Sequence, residues 1–265
     1  MMELGIKDKV ALVTASSTGL GFACAQTLLQ EGAKVAIGSR QQQKVTTAVE
    51  QLAEWGAQEA ILGAAVDYTQ TEAMTHYLAE VQEKLGSIDI LVCSSGGPAM
   101  GSVTEFDTQA YSHALEDNLL AMIRLSLALL PNMQANKWGR IIFITSSAAV
   151  QPIPSLALSN VARAGLHSFA KTLAQDVAKE GITVNCVMPG KINTDRMMAV
   201  TRKRAADNQR SLNEQMAMDF AKIPAGRYGQ PQELANLVTF LCSEKASYIN
   251  GSAIAVDGGA IMGLR

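Results

Sequence analysis

Seven short apolar runs, rich in β-branched residues, alternate with longer stretches of helical periodicity along this 265-residue chain. The runs lie at residues 10–14, 34–38, 60–66, 90–93, 140–145, 183–187 and 253–256. They are hydrophobic almost throughout, which is typical of strands covered by helices on both faces. The helical stretches lie at about 19–30, 41–55, 71–85, 109–135, 159–179 and 231–241. This order predicts an α/β fold in which a doubly wound, seven-stranded parallel sheet has helices on both faces.

The length is near the upper limit for one hydrophobic core, so we expect a single domain over residues 1–265. Segment 194–222 breaks the alternation and contains basic residues and methionines, namely Arg196, Arg202, Lys203, Arg204, Arg210, Met197, Met198, Met216 and Met218. One interpretation is an inserted substrate flap over the carboxyl ends of the strands, where ligands bind in such sheets. The other is a solvated helix pair whose methionines lie in the core.

The composition and the net charge exclude several classes of protein and of binding partner. Hydrophobic residues make up 48% of the chain and charged residues 17%, which excludes a disordered protein. Lys and Arg total 22 against 24 Asp and Glu, a formal charge of −2, so we expect a small-molecule ligand and no nucleic acid partner. No uncharged apolar stretch is long enough to span a membrane, and the first residues contain no apolar secretory segment. We therefore expect a cytoplasmic protein.

Several kinds of catalytic site are missing from the sequence. The four cysteines lie far apart, and the three histidines form no H-E-x-x-H or comparable cluster. We therefore expect buried, reduced thiols and no metal site. The G-x-S-x-G elbow and the G-x-x-x-x-G-K-S/T loop are also absent, which removes the commonest hydrolase and phosphoryl-transfer functions.

A loop of small residues follows the first run and opens a helix, with the sequence Thr14-Ala15-Ser16-Ser17-Thr18-Gly19-Leu20-Gly21. Such a loop lets the backbone approach a phosphate, and the helix N-terminus offers unpaired N–H donors. Because Cys24 stands at the third glycine position, this is not the G-x-G-x-x-G fingerprint. Alone, the two glycines indicate no more than a tight turn.

This loop resembles the T-G-x-x-x-G-x-G motif of the short-chain dehydrogenase/reductase family, and further matches follow in the family's order. They are Cys93-Ser94-Ser95-Gly96-Gly97-Pro98 for N-N-A-G, Asn118, Ser146, Asn185-Cys186-Val187-Met188-Pro189-Gly190 for N-x-V-x-P-G, and Val256-Asp257-Gly258-Gly259. The resemblance implies a Rossmann-type fold and hydride transfer between a nicotinamide cofactor and a carbonyl or alcohol substrate. Within the family, the chain looks like a divergent 3-oxoacyl-(acyl-carrier-protein) reductase. The substrate itself is not identified by the sequence.

The resemblance also implies a homotetramer, because family members commonly pair their fourth and fifth helices across interfaces. The stretch 109–135 supplies more apolar surface than one helical stripe needs, which agrees with such pairing. Burial of the same surface within one subunit would account for it equally.

The resemblance assigns cofactor contacts to particular residues. The pyrophosphate would be held by the loop residues Thr14, Ser16, Ser17, Gly19, Leu20 and Gly21. Further contacts would come from Asp67 at the adenine, from Ile192 and Thr194 at the nicotinamide carboxamide, and from Ser95, Gly96, Pro189 and Gly190. Alternatively, Asp67 simply ends a strand, and Pro189-Gly190 forms an ordinary turn. Ala15 replaces a glycine of the family motif.

The end of the second run predicts which cofactor binds. An acidic residue at this point usually binds a ribose 2′-hydroxyl, whereas a 2′-phosphate needs a cation. Here Ser39-Arg40 follow the run without a carboxylate, and a guanidinium can pair with a phosphate through two parallel hydrogen bonds. We therefore expect NADP(H). The alternative is that Arg40 is only an exposed residue at a helix start.

The family's proton donor is missing from the sequence. In the family, a Ser polarises the carbonyl, a Tyr delivers the proton, a Lys four residues later tunes the Tyr and binds the ribose, and an Asn holds a water. Ser146 and Asn118 match, but the family spacing places Ser159 and Arg163 at the Tyr and Lys positions. No tyrosine is followed four residues later by lysine.

These replacements change the predicted chemistry. An aliphatic hydroxyl is a far weaker acid than a phenol, so Ser159 is a poor general acid. Arg163 stays protonated, and it can bind ribose hydroxyls or stabilise developing charge. We expect a water held by Ser159 or Asn118 to supply the proton. His167, one turn further along the helix, could instead relay a proton, although histidines so placed are more often core or interface groups.

The sequence is compatible with two different functions. One is an NADP(H)-dependent oxidoreductase with an atypical catalytic site. The other is an NADP(H)-binding protein with little or no turnover that acts as a sensor or a structural partner, since the cofactor residues are present and the proton donor is not.

Overall fold

The structure, a computed structural model, describes residues 3–263 and contains one seven-stranded sheet. The strands are β1 (Val10–Thr14), β2 (Lys34–Ser39), β3 (Ile61–Ala65), β4 (Ile88–Cys93), β5 (Gly139–Ile144), β6 (Ile182–Pro189) and β7 (Ala253–Val256). They follow the order β3-β2-β1-β4-β5-β6-β7, and every neighbouring pair is parallel. The predicted seven-stranded parallel sheet is confirmed. Residues 1, 2, 264 and 265 of the predicted domain lie outside the described residues.

The helices surround this sheet. They are α1 (Gly19–Gln30), α2 (Gln42–Leu52), α3 (Thr71–Lys84), α4 (Thr108–Leu115), α5 (Ala121–Asn136), α6 (Ala157–Val177), α7 (Asp195–Asp207), α8 (Leu212–Phe220) and α9 (Pro231–Leu241). Among the described residues, no helix has both the length and the hydrophobicity needed to cross a membrane.

Two hydrophobic cores lie on opposite faces of the sheet. Alternate strand residues point to opposite faces, so Leu12 packs in one core and Ala11 and Val13 in the other. Side chains of α3, α5 and α6 fill the first core, and those of α1, α2 and α9 fill the second. The expected cover of helices on both faces is therefore confirmed, and it explains why the strands are apolar on both sides.

The helix predicted at 109–135 is not regular. It consists of α4 and α5 joined by a π-helical turn, Glu116–Leu120, in which Asn118 is buried. Such turns often occur at functional sites, because the extra residue displaces a side chain and loosens the backbone hydrogen bonding. Apolar periodicity does not distinguish this arrangement from a continuous helix, so the sequence prediction missed it.

The order of the strands creates a crevice at one edge of the sheet. From β1 the chain proceeds outward to β2 and β3, and it then returns to the other side of β1 for β4. The loops that follow β1 and β4 therefore diverge at the carboxyl edge, which is where ligands bind in open parallel sheets. Segment 194–222 forms α7 and α8 beside this edge, and the side chains of Thr194 and Ser211 cap the two helices.

Candidate active site

Two adjoining cavities form one cleft at the carboxyl edge of the sheet. The first, of about 420 Å³, lies between the N-terminus of α1, the end of β2 and the loop after β3. The second, of about 810 Å³, lies between the ends of β5 and β6 and segment 194–222. Both are lined by Leu20, Ser94, Ser95, Thr194 and Arg196. A ligand can therefore extend from one cavity into the other.

The loop after β1 has a backbone that admits only small residues. Gly19 has a φ of +62°, and a Cβ on Gly21 would lie 2.6 Å from the carbonyl oxygen of Ala15. Ala15 itself adopts a left-handed φ of +46°, a conformation in which a glycine would be unstrained. The side chain of Thr18, the N-cap residue of α1, makes no capping hydrogen bond, so the first N–H groups of the helix face the first cavity without this acceptor.

Two of the predicted loop contacts lie beneath the loop. The Thr14 hydroxyl donates to the Ser94 carbonyl at 2.5 Å and accepts from the Ser94 N–H at 2.9 Å. The Ser16 hydroxyl donates to the carbonyl of Val13 at 2.6 Å and accepts from the N–H of Gly38 at 3.0 Å. Both side chains are fully buried and hold the loop against β2 and β4. Of the predicted loop residues, Ser17, Gly19, Leu20 and Gly21 line the first cavity.

The far end of the first cavity contains two cations. Arg40 and Lys44, one helical turn apart, both line it, and Arg40 lies 3.9 Å from the carboxylate of Asp117. Asp67 also lines this cavity, and its Oδ1 accepts from both the N–H and the hydroxyl of Thr69. Sequence reasoning missed Lys44 and Asp117, although the spacing of four residues from Arg40 to Lys44 was visible.

Two buried hydroxyl groups at the first cavity lack partners. Ser39 Oγ and Tyr68 Oη are buried, line the cavity and make no hydrogen bond within the described residues. Burial also raises the pKa of Tyr68 well above its usual value, which keeps the phenol neutral. Because buried polar groups are almost always hydrogen-bonded, these hydroxyls indicate that a polar ligand belongs here.

Arg163 connects the two cavities through a buried polar cluster. Its Nη1 donates to the Ile144 carbonyl at 3.1 Å, and its Nη2 donates to Ser95 Oγ at 2.8 Å and to Asn118 Oδ1 at 3.1 Å. Ser95 Oγ donates to Asn118 Oδ1 at 2.9 Å, and Asn118 Nδ2 donates to the Ala114 carbonyl at 3.1 Å. The structure thus brings together Ser95, Asn118 and Arg163, which are far apart in sequence.

The Arg163 guanidinium is a buried cation without a carboxylate partner among residues 3–263. Its side chain is only 5% exposed, and burial, reinforced by the nearby positive charge of Arg196, lowers the pKa of Arg163 to about 10. At neutral pH it remains charged, and neutral oxygens solvate it. Because a buried cation is costly, this side chain favours any negative charge that a ligand brings close.

Ser146 and Ser159 lie in the second cavity with Arg163. Ser146 Oγ accepts from the N–H of Ala148 at 3.1 Å, so its proton remains available for a ligand. Ser159, one turn before Arg163 on α6, is nearly buried and makes no side-chain hydrogen bond to the described residues. Its hydroxyl can therefore both donate to and accept from a bound water or substrate.

The remaining predicted residues lie around these two serines. Ser95 lines both cavities and Gly96 the first, Pro189, Gly190 and Ile192 line the second, and Thr194 lines both. His167 Nε2 lies 2.7 Å from the hydroxyl of Thr145, which lines the second cavity. His167 thus stands one hydrogen bond behind the cleft.

Further cations line the cleft at Lys191 and on segment 194–222, and the sequence analysis did not single out any of them as a site residue. Arg196 Nη2 donates to the carbonyls of Gly97 at 2.6 Å and Pro98 at 3.3 Å, which ties α7 to the loop after β4. Lys191, Arg204 and Lys222 also line the second cavity. Lys191 forms an ion pair of 2.5 Å with the buried Asp219.

Comparisons with known proteins find close similarity over almost the whole chain. A family profile described as enoyl-(acyl carrier protein) reductase matches residues 14–260. Dehydrogenase/reductase SDR family member 4 of Bos taurus is 35% identical over 257 residues, which cover 97% of this chain and 88% of that protein. The 3-oxoacyl-(acyl-carrier-protein) reductase of Vibrio cholerae is 35% identical over 259 residues, covering 98% of this chain and 100% of that one. L-sorbose reductase from Gluconobacter frateurii, solved in complex with NADPH and L-sorbose, has a TM-score of 0.94 at 35% identity and covers 99% of this chain and 100% of that one.

Proposed function

This chain belongs to the short-chain dehydrogenase/reductase family, and we propose that it is an NADP(H)-dependent oxidoreductase acting on a carbonyl or alcohol substrate. The observation that supports this most is the continuity of the cleft. A dinucleotide that enters at Arg40 can cross the end of β1 and reach the second cavity, where Ser146, Ser159 and Arg163 lie. The similar L-sorbose reductase was solved with NADPH, which supports the same cofactor here.

The residues of the first cavity fit NADP(H). Gly19 and Gly21 line the cavity without side chains, and together with the uncapped N–H groups of α1 they suit a pyrophosphate. The buried hydroxyls of Ser39 and Tyr68 need polar partners, which a ribose and its phosphate provide. Arg40 and Lys44 suit the charge of a 2′-phosphate.

When bound, the cofactor supplies a hydride from its nicotinamide ring. Ser146 would donate a hydrogen bond to the substrate carbonyl oxygen, and the positive charge of Arg163 would stabilise the oxygen as it gains negative charge. Arg163 would also orient the ribose. Because Asn118 Oδ1 already accepts two hydrogen bonds, Ser159 is the better candidate for holding the water that delivers the proton.

We propose that Ser159 and Arg163 replace the family's Tyr and Lys as a working pair. The buried hydrogen bonds of Arg163 support this, because they fix its guanidinium at the junction of the cavities. The similarity to a 3-oxoacyl-(acyl-carrier-protein) reductase supports a 3-oxoacyl-type substrate as the narrower assignment. Segment 194–222 would act as the substrate flap within a single domain.

A specific observation also favours the alternative, an NADP(H)-binding protein with little turnover. Three of the five N–H donors of Arg163 are already bonded to protein oxygens without a substrate, and no tyrosine stands at position 159. NADPH oxidation over a panel of ketones and 3-oxo esters separates the two functions. We expect turnover of at least one carbonyl compound, whereas stoichiometric NADPH binding without oxidation for every compound would favour the alternative.

We also propose a homotetramer. The outer faces of α5 and α6 expose Leu127 and Val161, and the π-helical turn exposes Leu120. These apolar side chains would be covered if the helices of two subunits packed together.

A further inference from the structure

The second cavity has a one-sided distribution of charge. Its lining contains five cationic side chains and, among residues 3–263, no carboxylate; the cations are Arg163, Lys191, Arg196, Arg204 and Lys222. The first cavity is balanced instead, because Arg40, Lys44 and Arg196 are matched by Asp67, Asp117 and Asp195. The excess of positive charge therefore belongs to the second cavity and not to the cleft as a whole.

Not all five cations are equally available to a ligand. Arg163 is held by three protein oxygens, Arg196 by the loop after β4, and Lys191 by Asp219. Arg204 and Lys222, in contrast, make no ion pair and no side-chain hydrogen bond within the part of the chain that the structure describes, and neither lines the first cavity.

Asp219 is an acidic group that interacts with Lys191 and Arg204. It lies behind the cavity wall, only 3% exposed, and its oxygens are taken by Lys191 and by the hydroxyl of Tyr228 at 2.6 Å. Burial lowers the pKa of Lys191, and the positive charges of Arg204 and Lys222 both act to lower it further. Of these three cations, only Lys191 forms an ion pair with Asp219. Like charges held this close repel one another, and an anionic ligand would relieve that repulsion.

These cations and the reacting groups come from different elements of the fold. Ser146 and Ser159 come from the end of β5 and from α6, whereas Arg204 lies on α7 and Lys222 follows α8. Much of the other lining is apolar and includes Met100, Ile153, Leu156, Val200 and Ile223. The cavity thus combines a polar reacting region, an apolar wall and a cationic region on segment 194–222.

We infer that the substrate is a carbonyl compound with an apolar body and an acidic group, a carboxylate or a phosphate, which Arg204 and Lys222 bind. This inference rests on the proposed oxidoreductase function and names the substrate class of the same cleft. Charge-assisted hydrogen bonds to such a group are stronger than neutral ones, and a low-dielectric cleft strengthens them further.

Three ligands with the same methyl ketone test the inference: methyl 6-oxoheptanoate, 6-oxoheptanoate and 6-oxoheptyl phosphate. Their binding to the full chain loaded with NADP+ is measured by isothermal titration calorimetry. We expect at least one of the acidic ligands to bind about 10-fold more tightly than the neutral ester, and the tighter acid identifies the group. Equal binding of the ester and both acids would overturn the inference.

The variant Arg204→Gln/Lys222→Gln should abolish this preference. Its matched control is Arg202→Gln/Lys203→Gln, which removes the same charge from neighbouring exposed residues that do not line the cavity. The control should keep the preference, and an equal loss in both variants would mean that only the overall charge matters. If the double variant does not fold, the exposed Lys222→Gln alone should reduce the preference, and an unchanged preference would count against the site.

The same ligands distinguish the inference from the function on which it rests. If the acids bind through Arg204 and Lys222 but no ligand is reduced by NADPH, the oxidoreductase function fails and the anion site stands. If ester and acids are reduced with equal KM and kcat, the function stands and the inference fails.

Discussion

Replacing Arg40 with aspartate should reverse the cofactor preference of this protein. Arg40 lines the first cavity at the end of β2, with Lys44 one turn further on and no carboxylate on β2 itself. A 2′-phosphate placed there gains a charge-assisted pairing that a 2′-hydroxyl lacks. Arg40→Asp removes this pairing, adds a repulsive charge and introduces the acceptor that a ribose hydroxyl needs.

The structure sets the size of the effect. The Arg40 side chain is 66% exposed and lies 3.9 Å from Asp117, so solvent and this carboxylate both weaken its pairing with a phosphate. The pairing of Arg40 with the 2′-phosphate should therefore contribute about 1.5 kcal/mol of binding free energy, the lower end of the usual range for charged hydrogen bonds. Lys44 should add up to a similar amount. The native protein should then bind NADPH about 10- to 150-fold more tightly than NADH. Asp117→Asn should increase this ratio, because it removes the competing carboxylate.

The assay is a set of dissociation constants for NADPH and NADH, measured by calorimetry on the native protein, Arg40→Asp and the control Arg202→Asp. The control makes the same change of charge on an exposed residue of α7 outside both cavities. It should leave the NADPH preference intact. Equal affinities for the two cofactors in the native protein, or an unchanged preference in Arg40→Asp, would refute the reasoning.

Three further predictions concern the catalytic pair, the thiols and the assembly. For any ketone that the native protein reduces, Ser159→Tyr/Arg163→Lys should lower the turnover about 100-fold or more, while NADPH affinity stays nearly constant. The reason is that the new pair leaves the oxygens around position 163 without their hydrogen bonds and displaces the water that Ser159 would hold. Faster reduction by this variant would instead indicate a degraded ancestral site. An aromatic disulfide reagent should modify no cysteine in the folded protein and all four after denaturation. All four thiols are buried, and burial raises the pKa of each, that of Cys186 to about 12. Rapid labelling of the folded protein would contradict their burial. Light scattering at micromolar concentration should give the mass of a tetramer, and Leu127→Glu should reduce that mass; a monomeric mass for the native protein would exclude the assembly.

The strands and the first cavity could be predicted because their signals are local. A strand covered on both faces must be apolar along its length, so each run of β-branched residues indicated one strand. The loop after β1 depends on small residues next to a helix start, and these are contiguous in the chain. Ser39 is the last residue of β2 and Arg40 is the next, so both could be located from the end of the second apolar run.

The reacting end of the cleft depends on contacts between distant parts of the chain. Ser95, Asn118 and Arg163 come from three different elements, and nothing in the sequence shows that one guanidinium binds the other two side chains. The π-helical turn that presents Asn118 has the same apolar pattern as a regular helix. The charge of the second cavity was also hidden, because its five cations come from four separate parts of the chain and only the fold brings them together in a lining without a carboxylate among residues 3–263.

The transfer of an isotope from cofactor to product tests the central claim most directly. The protein is incubated with a ketone panel that includes ethyl 3-oxobutanoate and 6-oxoheptanoate, together with NADPH that carries deuterium at both hydrogens of nicotinamide C4, and the alcohols are analysed by mass spectrometry. We predict an alcohol with one deuterium on the former carbonyl carbon, formed in proportion to the NADPH oxidised, and a much slower reaction with Arg163→Met. Stoichiometric binding of NADPH without deuterium in any alcohol would contradict the account and identify the protein as a cofactor-binding protein.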